Sequence, residues 1–117
     1  CYLMPKLLSQ KNFQNLSTST LTTTSTSQVA LDVFDADQFR SARYQIQASS
    51  GTSHHTVEFI IVHNGTTTYN TEYAVIVIGS SLASFDSDIS SGNVRLLITP
   101  ATATSTTFKA IRTTINT

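Results

Sequence analysis

Charge is scarce in this sequence. Only 12% of its 117 residues are charged, and seven Lys and Arg balance seven Asp and Glu to a net charge of zero. That balance leaves no basic footprint for a nucleic acid and no polybasic stretch for an anionic membrane surface. The single cysteine, Cys1, excludes an internal disulfide framework. Four scattered glycines provide no loop to cradle a phosphate. The longest apolar run, residues 74–78, is far too short to span a bilayer, so no membrane insertion is expected. The opening CYLMPKLL reads as a piece of a longer protein or as a chain starting at Met4. Its LMPKLL stretch is too short and interrupted for a secretory signal.

Ser and Thr, by contrast, supply about 30% of the residues, and 39% are hydrophobic. Disordered chains combine low hydrophobicity with high net charge, so this one is expected to fold. Its length suits one domain. Thr, Val and Ile dominate, which favours strands, because β-branched side chains fit a pleated surface and lose rotamer freedom in a helix. Residues 1–17 read as an extended N-terminal arm or linker, and residues 18–117 as a single β-domain.

Alternation marks the strands. Val29, Leu31 and Val33 point one way in QVALDVFD, with Ala30 and Asp32 opposite. Ala42, Tyr44, Ile46 and Ala48 share a face, as do Val57, Phe59 and Ile61. Ile60 and Val62, on the reverse, predict a central strand covered on both sides. Asn64-Gly65 predicts a type I′ hairpin turn. The return strand carries Tyr69, Tyr73, Val75 and Val77, and another carries Val94, Leu96 and Ile98, closed by Pro100. The stretch GSSLASFDSDISSGN reads as loop. A strand over 18–24 and a last one in TTFKAIRTTI bring the count to about eight. The expected fold is all-β: an antiparallel β-sandwich or a jelly-roll-like barrel.

Phe-Asp-x-Asp occurs twice, as FDAD from Phe34 and FDSD from Phe85. Each is followed by a polar segment, a strand, a turn and a second strand, which suggests a pseudo-repeat of a strand pair. A calcium site at Asp35, Asp37, Asp86 and Asp88 would need six to eight oxygens, and neither copy has the third acid or the glycine of a D-x-D-x-D-G loop. The favoured reading is a structural corner in which aspartate bonds turn amides. His54 and His55, placed on a turn, face opposite ways and are poorly arranged for one metal. No G-x-S-x-G elbow is present, and Glu58 and Glu72 are the one carboxylate pair open to a glycosidase reading. Neither a cofactor nor an enzymatic activity is expected. The tyrosines Tyr44, Tyr69 and Tyr73 offer a sugar-stacking surface or packing groups. A neutral, Thr-rich exterior suits protein–protein assembly.

The runs FDADQFRSARYQIQ, VEFIIVHNGTTTYNTEYAVI and FDSDISSGNVRLLITPATATSTTFKAIRT resemble a β-rich module of virion structural proteins of tailed bacteriophages, cyanophages in particular. The resemblance covers residues 21–115. It implies an oligomeric virion component: a tail fibre, a tail-associated protein or a capsid-decorating protein. Its partners would be further copies of itself and other virion proteins, joined through β-domain and N-terminal-arm contacts. The alternative is a recognition domain for a host surface glycan or receptor, using loops around 50–55 and 79–85. For that role Tyr69, His54 and His55 are the candidate contacts.

Overall fold

The computed structural model describes residues 15–117. Eight strands account for most of them: β1 (Leu16–Thr23), β2 (Val29–Asp35), β3 (Phe39–Ser50), β4 (Ser53–His63), β5 (Thr68–Ile78), β6 (Ala83–Ser90), β7 (Asn93–Pro100) and β8 (Thr106–Asn116). All pairings are antiparallel. A five-stranded sheet of order β1-β8-β3-β4-β5 packs on a three-stranded sheet of order β2-β7-β6. The fold is thus an all-β sandwich, and its sheets divide five and three. The strand expected over 18–24 runs Leu16–Thr23, and residues 1–14 of the expected arm lie outside the described residues.

The core follows the sequence alternation closely in β3, β4 and β7, and β8 adds Phe108 and Ala110 to it. Ala42, Tyr44, Ile46 and Ala48 face Val57, Phe59 and Ile61 along one sheet, and Val94, Leu96 and Ile98 meet them from the other. Burying each large apolar side chain of this set contributes roughly 1.5–3 kcal/mol, so these rows are the main driving force of folding. The inward row of β4 continues past its apolar members at both ends, to His55 and His63, which are also buried.

Tyr44 belongs to that core and not to the surface. Its hydroxyl donates to Asp32 Oδ2 at 2.7 Å. Burial, reinforced by the Asp32 charge, pushes its phenol well above the usual range. Asp32 also accepts from Ser19 Oγ at 2.8 Å and from Arg112 at 2.9 Å. The alternation over 29–33 predicts Asp32 outward. A bulge between Ala30 and Asp32 in the β2–β7 pairing reverses it. Leu31 stays buried, Val29 and Val33 become exposed, and Asp32 turns into the gap between the sheets.

The turns differ from expectation in a similar, local way. The β4–β5 hairpin does sit at Asn64-Gly65, but only Gly65 has a positive φ (99°). Four residues, 64–67, join the strands, closed by Asn64 Oδ1, which accepts the amides of Thr66 and Thr67. The two-residue connection with both φ values positive is Ser91-Gly92 (52° and 79°), between β6 and β7. The stretch read as loop is therefore β6, with Phe85, Ser87 and Ile89 opposite Ile98, Leu96 and Val94.

The two Phe-Asp-x-Asp copies consequently do different things. Phe34 and Asp35 end β2, and Asp35 Oδ1 accepts the Asp37 amide at 2.8 Å, as the structural corner predicts. Asp86 and Asp88 lie mid-strand in β6. Asp88 binds Arg95 through two bonds, one of 2.7 Å, and that partner holds its carboxyl below the usual carboxylate range. Pseudo-repetition does not extend to the fold.

At the β1–β8 edge the first and last strands meet. Asn15 Nδ2 donates to Thr114 O at 2.8 Å and Asn116 Oδ1 at 2.9 Å, and Asn15 O accepts the Thr114 amide at 3.0 Å. At the opposite edge β5 touches β6 only near its start, where Thr68 and Asn70 bond Ser87 Oγ at 2.9 and 2.7 Å. Beyond that point β5 overhangs. A bulge in the β4–β5 pairing, between Thr56 and Glu58, coincides with Ala74 at φ 52°. After it, Val75, Ile76, Val77 and Ile78 are all exposed, Ile76 at 64%.

Candidate functional site

The outer face of the five-stranded sheet is left open by the three-stranded sheet, which covers only the inner one. Register lines its side chains into rows across the strands. Thr20, Lys109, Gln47, Thr56 and Ile76 form one row. Thr18, Ile111, Gln45, Glu58 and Tyr73 form the next. Toward the β1 start come Leu16, Thr113, Arg43, Ile60 and Thr71, then Ile115, Ser41, Val62 and Tyr69. Among the described residues, outward Ile60 and Val62 thus face no second layer: β4 is central in its sheet, and the three-stranded sheet covers its inner side only.

Four hollows adjoin along this face. The largest, about 310 Å³, is lined by the hydroxyls of Thr18, Thr20 and Thr56, the amides of Gln45 and Gln47, and Lys109. Gln45 and Ile111 carry it into a second of about 240 Å³ at Arg43 and Glu58. Arg43 and Thr113 lead on to a third of about 280 Å³, and Ile60 to a fourth of about 240 Å³ beside Val62 and Tyr69. Of the four, the hollow at Arg43 and Glu58 is the most polar and the one at Val62 and Tyr69 the most apolar. Within the former, Arg43 donates twice to Glu58 Oε1, at 3.2 and 2.8 Å. This partner holds the guanidinium above its ordinary value.

Of the candidate contacts, Tyr69 is 58% exposed at the apolar end. His54 lies on β4, not on a turn, and its Nδ1 is 3.1 Å from Ser49 Oγ at the surface. His55 is 3% exposed and faces the core. Its Nδ1 accepts the Leu82 amide at 3.2 Å, and its ring stands edge-on to Phe85 at 5.7 Å. His63 is similarly enclosed: Nδ1 accepts the Gly65 amide at 2.9 Å, which leaves Nε2–H to donate to Phe39 O at 2.7 Å. The two histidines brace the ends of the hairpin from inside. Extending the period-two row of Val57, Phe59 and Ile61 by one step each way is the sequence signal that places both inward.

Glu58 and Glu72 are not brought together as a carboxylate pair. Glu58 is opposite Tyr73 and points outward, whereas Glu72 is opposite the core residue Phe59 and lies on the other face. Among the described residues, no three His, Cys, Asp or Glu converge in a way that could hold a metal ion. Asp35 with Asp37 and Asp86 with Asp88 sit on separate elements, with the amide and arginine partners given above.

No protein-family model matches this chain, and no curated protein sequence matches it. Solved structures similar to it include three phage tailspike proteins. The tailspike protein of Acinetobacter phage vB_ApiP_P1 has a TM-score of 0.54 and 21% identity, over 88% of this chain and 22% of that one. For the tailspike protein of Acinetobacter baumannii phage AM24 the TM-score is 0.40 and the identity 9%, over 92% of this chain and 27% of the other. The tailspike protein gp49 of Acinetobacter baumannii bacteriophage Fri1, a capsular polysaccharide depolymerase, gives 0.42 and 14%, over 88% and 18%. The chain thus spans roughly a fifth to a quarter of the proteins it resembles. At such identity the likeness is one of fold, and these three come from Acinetobacter phages, not cyanophages.

The comparison corrects the expectation of no enzymatic activity. The Fri1 protein is itself an enzyme, and this chain corresponds to less than a fifth of it. Motifs missing from 117 residues speak for those residues alone, so their absence is no ground for calling the protein they belong to inactive.

Proposed function

We propose that the chain is a sandwich module of a tail-associated phage virion protein, docking through β5 onto further copies of itself or onto other virion proteins. The observation that carries this reading is the overhang of β5. Its last four residues are apolar, exposed on both faces, and lie on a sheet edge whose outer main-chain groups have no strand beside them among the described residues. Such an edge is a template for strand addition. The fold likeness to a phage tailspike and the sequence resemblance to phage virion modules support the setting. Mass in solution tests it: the chain should associate with rising concentration, and Ile76→Lys should shift it toward monomer. A monomer at every concentration would count against docking by β5.

Glycan recognition is the second reading, favoured by the trough of hydroxyls, amides and Lys109 on the outer face. Tyr69 and His54 border opposite regions of that face and remain its candidate contacts; His55 is enclosed and drops out. Titration with capsular oligosaccharides should show binding that Tyr69→Ala weakens.

A further inference from the structure

The turn between β4 and β5 carries the parts of a self-modifying site. We propose that His63 acts there as a base and that the fold itself converts Asn64 to aspartate and isoaspartate through a succinimide. Asn64 is the asparagine of this sequence that glycine follows. Ring closure joins the Gly65 nitrogen to Asn64 Cγ. It needs a base for the Gly65 amide proton, donors on the carboxamide oxygen, and an unshielded nitrogen.

All three are in place. The Gly65 N–H donates to His63 Nδ1 at 2.9 Å, within the reach of a general base. His63 is buried, and its Nε2–H donates to Phe39 O at 2.7 Å, which fixes the tautomer and keeps the Nδ1 lone pair on that amide. Asn64 Oδ1 accepts from the Thr66 amide at 3.1 Å, the Thr67 amide at 2.9 Å and Thr66 Oγ1 at 3.0 Å. Such donors polarise the carbonyl and stabilise the oxyanion that forms on attack. No side chain shields the Gly65 nitrogen, and a Cβ added at that residue would meet nothing within 4 Å. Residues 64–67 are exposed, so water has access. Turn asparagines commonly accept amides in this way. What sets this one apart is a buried histidine holding the very N–H that must be lost.

In the reaction, Gly65 N bonds to Asn64 Cγ while its proton passes to His63 Nδ1. The bond from Cγ to the carboxamide nitrogen then breaks, and that nitrogen leaves as ammonia with the proton His63 held. Water opens the imide at either carbonyl, giving aspartate or isoaspartate at position 64. Nothing is oxidised or reduced, and water is the one co-reactant. Either product adds a negative charge to the turn, and isoaspartate also lengthens the main chain there by one atom.

The test incubates the full chain at one neutral pH and temperature, folded and unfolded in guanidinium chloride, and follows deamidation by peptide mapping. Conversion should fall on Asn64 with isoaspartate among the products, while Asn70 and Asn93 stay intact. The folded chain should convert faster by about tenfold or more, since a positioned base contributes on the order of 100-fold at least. Thr66→Val removes one donor to Oδ1 from an exposed position and should slow the folded chain by about threefold or more. His63→Gln should bring the rate down to that of the unfolded chain; if this variant does not fold, the folded-to-unfolded comparison and Thr66→Val decide. Equal or slower conversion in the folded parent overturns the proposal. So does a folded His63→Gln variant that keeps the parent rate, or a product free of isoaspartate, which would mean direct hydrolysis.

Discussion

The guanidinium of Arg112 on β8 lies 2.9 Å from the carboxylate of Asp32 on β2, so one ion pair ties the two sheets together across the core. Both side chains are about nine-tenths buried. Arg112 also lies over the rings of Phe34 and Phe39, at 5.6 and 5.8 Å, and donates to Val33 O at 3.2 Å. Removing one member of such a pair leaves the other charge desolvated. Arg112→Met should therefore cost about 3 kcal/mol. Adding Asp32→Asn should cost less than the sum of the two single changes, because they share one network. Urea unfolding of the four proteins measures both quantities.

Tyr44 gives an alkaline signature. Its phenol is raised by burial and by Asp32, so the fold binds this proton more tightly than the unfolded chain does. That contribution is complete below the ordinary phenol value of 10.0 and is lost as pH rises above it. Tyr44→Phe should weaken the fold by about 1 kcal/mol at neutral pH through the lost hydrogen bond. Above pH 10 the gap between the two proteins should narrow. Equal pH profiles in thermal melts would contradict the burial of this hydroxyl.

Asp88 gives the opposite sign. Its carboxyl is lowered by Arg95, so its contribution is present above the ordinary value of 3.8 and fades as pH falls below it. Asp88→Asn should be slightly less stable than the parent at pH 7 and equal to it once the parent carboxyl is protonated. Because the pair is well exposed, the difference should be much smaller than that for Arg112→Met and should shrink with added salt.

Two glycines with positive φ should respond differently to alanine. At Gly92 (φ 79°) an added Cβ meets nothing within 4 Å, so only the left-handed backbone matters, at about 1 kcal/mol. At Gly79 (φ 82°) the same atom would sit 2.5 Å from Ser53 Oγ and 3.3 Å from Ser53 Cβ. Gly79→Ala should be the more damaging of the two in chemical denaturation.

Strands with an unbroken apolar period of two were legible in the sequence, and this covers β3, β4 and β7; β8 alternates less cleanly, because its inward row mixes Phe108 and Ala110 with Thr106, Arg112 and Thr114. Asp32 was not, because a one-residue bulge reverses every side chain after it and leaves no mark on composition. β6 was hidden by its own polarity: Phe85, Ser87 and Ile89 alternate correctly, but Ser and Asp around them read as loop. The open outer face of β4 could not be seen either. Ile60 and Val62 are apolar whether a second layer or another molecule covers them, and the choice depends on how many strands each sheet receives. Tyr44 and Tyr69 fall on opposite faces of one sheet, and only Tyr44 shares its face with the apolar row Ala42, Ile46 and Ala48.

The meeting of Asn15 with Asn116 has a mechanical side. Because the sandwich is entered and left at one corner, neighbouring segments on both sides would converge there, and the module would hang from them as a side lobe. Tension between those segments would not shear the whole sheet. It would peel β1 from β8 one residue pair at a time, starting at the bonds of Asn15 with Thr114 and Asn116 and passing next to Leu16 and Thr113. The first piece to yield would be the outermost strand, with the β3–β4 hairpin still folded behind it.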